Sequence, residues 1–76
     1  MVDTTLAEAP VGRFVRIHQL QSSPPVCKRL RELGFFENAV IRCMVNNEGS
    51  LICQVCNSRV GLTREIARDI LVAALV

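Results

Sequence analysis

The sequence contains no tryptophan and no tyrosine, and its 76 residues include only three phenylalanines, Phe14, Phe35 and Phe36. A domain that grips proline-rich segments needs a groove lined by clustered aromatics, so this composition disfavours that mode. Charge of one sign is also lacking: nine Lys and Arg stand against seven Asp and Glu, a net +2 that makes no argument for nucleic acid. No apolar run approaches the ~18 residues of a membrane-crossing helix. The opening "MVDTTLAEAP" has no basic stretch followed by an apolar block, the pattern of a secretory signal. The expectation is therefore a cytoplasmic chain whose four cysteines are reduced thiols. Glycine is equally sparse, at positions 12, 34, 49 and 61, with no glycine-rich phosphate loop. There is no Ser-His-Asp order and no paired carboxylate placed for acid–base work, so an enzyme is not expected.

What is present is half hydrophobic and mostly aliphatic. A chain this short makes one small domain, residues 1–76, with a compact core. Residues 1–11 read as a lead-in in which Leu6 and Ala9 tuck against the domain. "GRFVRIHQL" alternates, Val15 and Ile17 to one face, Arg16 and His18 to the other, as a half-buried strand does. "SSPPVCKRLRELG" reads as a helix of about three turns, with Ser23 as cap, Pro24 at the first helical position and Gly34 as the stop. Val26, Leu30 and Leu33 form its apolar stripe, Cys27 sits at the stripe's edge, and Lys28, Arg31 and Glu32 face away. "AVIRCMVNNEGSLICQVCN" is a hairpin turning around Glu48, with Ile41, Cys43 and Val45 on one face and Leu51, Cys53 and Val55 sharing a face of the return strand. "SRVGLTREIARDILV" reads as two short strands joined by one helical turn around residues 65–68. The sum is a mainly β fold: a small SH3-like barrel of five strands, with one short helix between the first and second.

The "CQVC" of residues 53–56 has the spacing of half a zinc site or of a redox pair. On a regular strand two residues three apart point to opposite faces, so Cys53 and Cys56 diverge, and the segment has no Gly or Pro to turn it. Across the hairpin, Cys43 and Cys53 instead oppose each other as buried thiols, and Cys56 points outward near the strand end. A transition-metal (iron or zinc) site built on Cys43, Cys53 and Cys56, with help from His18 or Cys27, is the alternative; it needs a local distortion to converge. For a partner surface the candidates are the basic helix residues Lys28, Arg29 and Arg31 together with Phe36. Phe35 plugs the barrel; an exposed Phe36 beside basic residues makes an interface anchor. The apolar tail "LVAALV" is a second candidate contact, to a partner or to a second copy of the chain in a weak homodimer.

"RLRELGFFENAVI" (residues 29–41) resembles the helix, Leu-Gly-Phe turn and following strand of the FeoA family. "LAEAPVGRFVRIHQL" resembles that family's opening strand, and "SRVGLTREIARDILV" its closing motif, so the likeness runs over residues 6–72. The sequence departs from the family at Glu37 and Asn38, where Pro-Gly is common, at Asn57 in place of glycine, and at Thr63, where arginine is frequent. The resemblance implies an SH3-like barrel and a non-enzymatic role in ferrous iron transport. It implies a cytoplasmic accessory that binds the FeoB membrane GTPase and is drawn by it to the inner membrane face. The same barrel closes iron-dependent repressors of the DtxR type, which leaves a regulatory domain as a further alternative.

Overall fold

The alternating segments pair into one antiparallel sheet. The computed structural model describes residues 4–75. Its elements in chain order are β1 (Thr4–Thr5), a 3-10 turn (Leu6–Glu8), β2 (Phe14–Leu20), α1 (Pro24–Glu32), β3 (Val40–Asn46), β4 (Ser50–Val55), β5 (Ser58–Thr63), α2 (Arg64–Ala67) and β6 (Ile70–Ala74). The strand order is β1-β6-β2-β3-β4-β5. The expected mainly β, SH3-like architecture with its short helix between two strands is present, with two corrections. Among the described residues there are six strands, because the lead-in contributes the two-residue β1, which pairs Thr4 with Val72 and Thr5 with Leu71. The sheet also does not close into a barrel by backbone pairing: β1 and β5 are its two edges.

Side chains span the gap instead. The Ala7 carbonyl accepts from Asn46 Nδ2 at 3.0 Å and from Arg64 Nη2 at 3.1 Å. Arg64 Nη1 donates to Asn46 Oδ1 and, at 3.2 Å, to the Asn47 carbonyl. One guanidinium fork thus ties the 3-10 turn, the β3–β4 hairpin and α2 together. Thr63 caps α2: its Oγ1 accepts from the Ile66 N–H at 3.3 Å.

Two bulges adjust the alternation. An extra residue, His18, lies between Ile17 and Gln19 against β6, so Val15, Ile17 and then Leu20 all reach the core. Met44 is the extra residue between the Cys43–Cys53 and Val45–Ile52 pairs. The face shared by Ile41 and Cys43 therefore does not continue to Val45, as strict alternation predicted. Val45 is only partly buried, and the side chain of Asn46 reaches the Ala7 carbonyl instead.

The helix ends as its sequence dictates. Gly34 takes φ 103°, its N–H bonds the Arg31 carbonyl at 3.1 Å, and the Phe35 N–H bonds the Leu30 carbonyl at 2.8 Å. These are the two bonds of a Schellman motif, and its usual apolar contact is supplied by the buried Leu30 and Phe35. Asn38 adopts φ 72°, a left-handed conformation that asparagine tolerates better than most residues. Phe35 is fully buried beside Leu6, Ile17, Ile41, Leu51, Ile70 and Val72, as the plug of the core.

Candidate partner-binding interface

The helix presents its charges at the surface, and carboxylates meet two of them. Arg31 makes a two-point contact with Glu37, Nε to Oε1 at 3.4 Å and Nη2 to Oε2 at 3.1 Å. That hydrogen-bonded pairing holds the Glu37 carboxyl below its ordinary range and raises the Arg31 guanidinium above its own. Arg29 lies 3.8 Å from Glu32 one turn on. Lys28 has no ion-pair partner among the described residues. The basic patch of Lys28, Arg29 and Arg31 is thus a mixed surface, with Lys28 its unneutralised member. Phe36 is 46% exposed, an aromatic left in water at the end of the helix beside Arg31 and Glu37.

Sequence reasoning missed an apolar groove that Arg29 borders. The stripe of α1 does not bury itself fully. Pro25, Val26 and Leu33 on the helix, with Leu62 on β5 and Ile66 on α2, line an apolar groove of about 350 Å³, and Arg29 stands at its rim. Val26, Leu33 and Ile66 are partly buried against the core and partly open. The signal was present in the Val26–Leu30–Leu33 spacing; what it could not give was that β5 would stop short of covering the stripe. A second hollow of about 360 Å³, lined by Glu48, Thr63, Arg64, Glu65 and Arg68, is polar.

The cysteines divide by environment. Cys43 and Cys53 are directly paired across β3 and β4 and fully buried. Burial pushes both thiols up, Cys53 to about 12, the neighbouring Cys43 adding to the effect. Cys27 is buried too, its Sγ donating to the Ser22 carbonyl at 3.1 Å. Cys56 is exposed. The parity argument for Cys56 assumed a strand that in fact ends at Val55. A tight turn does form there without Gly or Pro, Val55 pairing with Ser58 around Cys56 and Asn57. Cys56, rather than Asn57, carries the positive φ, 56°. Cys43 and Cys53 are brought together and Cys56 is not; among the described residues no three His, Cys, Asp or Glu side chains cluster to hold a metal ion. His18 stands exposed at its bulge.

The expected apolar tail is largely sheet. Residues 71–74 belong to β6, where β2 pairs with all four and β1 with Leu71 and Val72. Val76 lies outside the described residues.

Comparison with known proteins gives one consistent answer. Among curated proteins no sequence matches the chain. Among solved structures it is similar to an iron uptake regulatory protein (FeoA), with a TM-score of 0.89 and 21% identity over 99% of this chain and 100% of that one. It is similar also to the FeoA protein from Chlorobium tepidum, TM-score 0.85 and 19% identity over 96% of this chain and 71% of that one. A third likeness is to ScaR with bound zinc, TM-score 0.86 and 18% identity over 97% of this chain and only 38% of that one. At these identities the structural likenesses establish the fold. The sequence itself matches the family model of the FeoA domain over residues 4–74, nearly its whole length, and the chain belongs to the FeoA domain family.

Proposed function

We propose that this chain is a cytoplasmic accessory of ferrous iron uptake that docks on the cytoplasmic part of a FeoB-type membrane GTPase through the groove between α1 and β5. The family is non-catalytic, so what it offers is surface. The observation that carries the reading is the open apolar groove of Val26, Leu33, Leu62 and Ile66, rimmed by Arg29. An apolar cleft with a cation at its lip takes an apolar side-chain cluster flanked by a carboxylate, the form of a short docking segment on a larger protein. Lys28 on the same helix and the exposed Phe36 that follows it are further candidate contacts. No helix among the described residues is long and apolar enough to cross a membrane.

The test is an amide NMR titration of the reduced protein with the soluble G domain of the cognate FeoB. The expected result is shifts confined to Val26, Leu33, Leu62, Ile66 and their neighbours, and their loss in Leu33→Glu. Absence of shifts at saturating G domain, or shifts confined to the opposite side of the sheet, would overturn the groove as the docking site.

A further inference from the structure

Among the described residues every Asp and Glu lies outside the strands. The six strands contain no Asp or Glu, while β2, β3 and β5 each carry one arginine: Arg16, Arg42 and Arg59. All three point away from the core. Phe14, Arg42, Gln54 and Arg59 form one cross-strand row over four neighbouring strands, and Arg16 pairs with Val40 alongside it. None of the three arginines has a carboxylate partner among the described residues. The apolar neighbours are unusually bare for so small a protein: Phe14 is 52% exposed, Val40 47%, and Val11, in the turn leading into β2, 56%. Phe14 and Val40 thus alternate with Arg42 and Arg16 as a two-by-two checkerboard. Arg42 is fixed within it. Its Nε donates to the Gly12 carbonyl at 3.0 Å, and its guanidinium carbon sits 5.1 Å from the Phe14 ring centroid. Its two Nη groups have no protein acceptor among the described residues.

We infer that this outer face of β2, β3 and β5 is a peripheral contact for an anionic lipid bilayer, with Arg16, Arg42 and Arg59 on headgroup phosphates and Val11, Phe14 and Val40 at the headgroup–acyl boundary. Three features select a bilayer over other anionic partners. The cations stand on a strand surface away from the two hollows described above, and an array of cations spread over several strands matches an array of phosphates rather than one acidic side chain. Exposed aliphatic and aromatic side chains interleaved with arginine suit the interface layer, where guanidinium groups reach headgroups while their stems and neighbours stay apolar. An RNA strand would need open aromatic faces for base stacking, whereas Phe14 is the face's lone aromatic and already carries a guanidinium. The contact is independent of the groove. It would hold the groove near the membrane, where an integral partner's cytoplasmic part is found.

The experiment uses the chain alone, with no GTPase present, so its outcome does not depend on the docking reading. Partition is measured by co-sedimentation at low ionic strength with vesicles of phosphatidylcholine alone and of phosphatidylcholine with one third phosphatidylglycerol. Binding is expected only to the anionic vesicles and is expected to fall steeply with added salt. Arg16→Gln/Arg59→Gln should weaken partition by roughly tenfold or more, since each arginine near the surface contributes substantially. Phe14→Ser should weaken it at every salt concentration. Arg16→Gln and Arg68→Gln remove equal charge from different faces; only the first should reduce binding. No sedimentation with anionic vesicles, or equal losses from Arg16→Gln and Arg68→Gln, would overturn the proposal. Binding of an acidic protein or an RNA without binding of anionic vesicles would do the same.

Discussion

The backbone of Gly34 rests on the side chain of Val55: a Cβ placed on Gly34 would lie 2.5 Å from Val55 Cγ1. This contact seats the end of α1 on the β4 strand, and it constrains Gly34 twice. The residue has φ 103°, which an L side chain adopts only under strain, and it has no space for a methyl group. Gly34→Ala is expected to cost about 2–4 kcal/mol, the sum of backbone strain and overpacking. Urea denaturation measures it. A loss under ~1 kcal/mol would mean that Val55 yields freely and that the helix end is not pinned there.

Much of the fold was legible because its periodicities are clean. Val15 and Ile17, Leu51, Cys53 and Val55 alternate, and all are buried. Pro24 opens the helix and Gly34 closes it. What was not legible was non-local or too short to have a period. Thr4–Thr5 is two residues long and exists as a strand only because β6 offers a free edge. The bulges at His18 and Met44 add a residue without any glycine to announce it. The groove arises because part of an apolar stripe is left uncovered, a fact about β5 and α2 rather than about the helix that carries the stripe. Nothing near Arg64 in sequence foretells that its fork reaches Ala7.

Arg64 is expected to act as the clasp of an open sheet. Arg64→Met removes the bonds to Asn46, Asn47 and Ala7 and leaves the Ala7 carbonyl with Asn46 alone. A loss of about 1–3 kcal/mol follows from hydrogen bonds to a charged donor. Arg64→Lys should restore little of it, because an ammonium is a point donor and cannot span three acceptors as the planar fork does. Thermal unfolding of both variants checks this. Full rescue by lysine would show that charge, not geometry, is what the site requires.

Cys56 stands in a left-handed conformation, at φ 56°, in the two-residue turn between β4 and β5. Its side chain is exposed and makes no packing contribution that glycine would forfeit. Cys56→Gly is therefore expected to stabilise the protein by about 0.5–1 kcal/mol, since the strain of a Cβ in that region is relieved. Denaturant midpoints of the two proteins under reducing conditions decide it. Destabilisation by glycine would mean that the entropy gained by the unfolded chain outweighs the strain.

The buried pair Cys43–Cys53 sets how stability responds to alkali. Burial raises both thiols, Cys53 to about 12, above the ordinary thiol value of roughly 8.5 that the unfolded chain keeps. Below that ordinary value both states hold the protons, so stability does not depend on these groups' titration. Above it the unfolded chain releases protons that the folded protein retains. The unfolded state then binds fewer protons, and stability falls as pH rises towards the folded values. With no tyrosine in the chain, the region between pH 9 and 10.5 is free of phenol titration. Urea midpoints measured anaerobically at pH 6.5, 7.5 and 10.5 should be level between the first two and lower at the third. Cys43→Ala/Cys53→Ala should be less stable at pH 7.5, for want of packing, yet flatter from pH 7.5 to 10.5. A wild-type curve as flat as the variant's at high pH would show that the thiols ionise in place, and that water reaches the centre of the β3–β4 ladder.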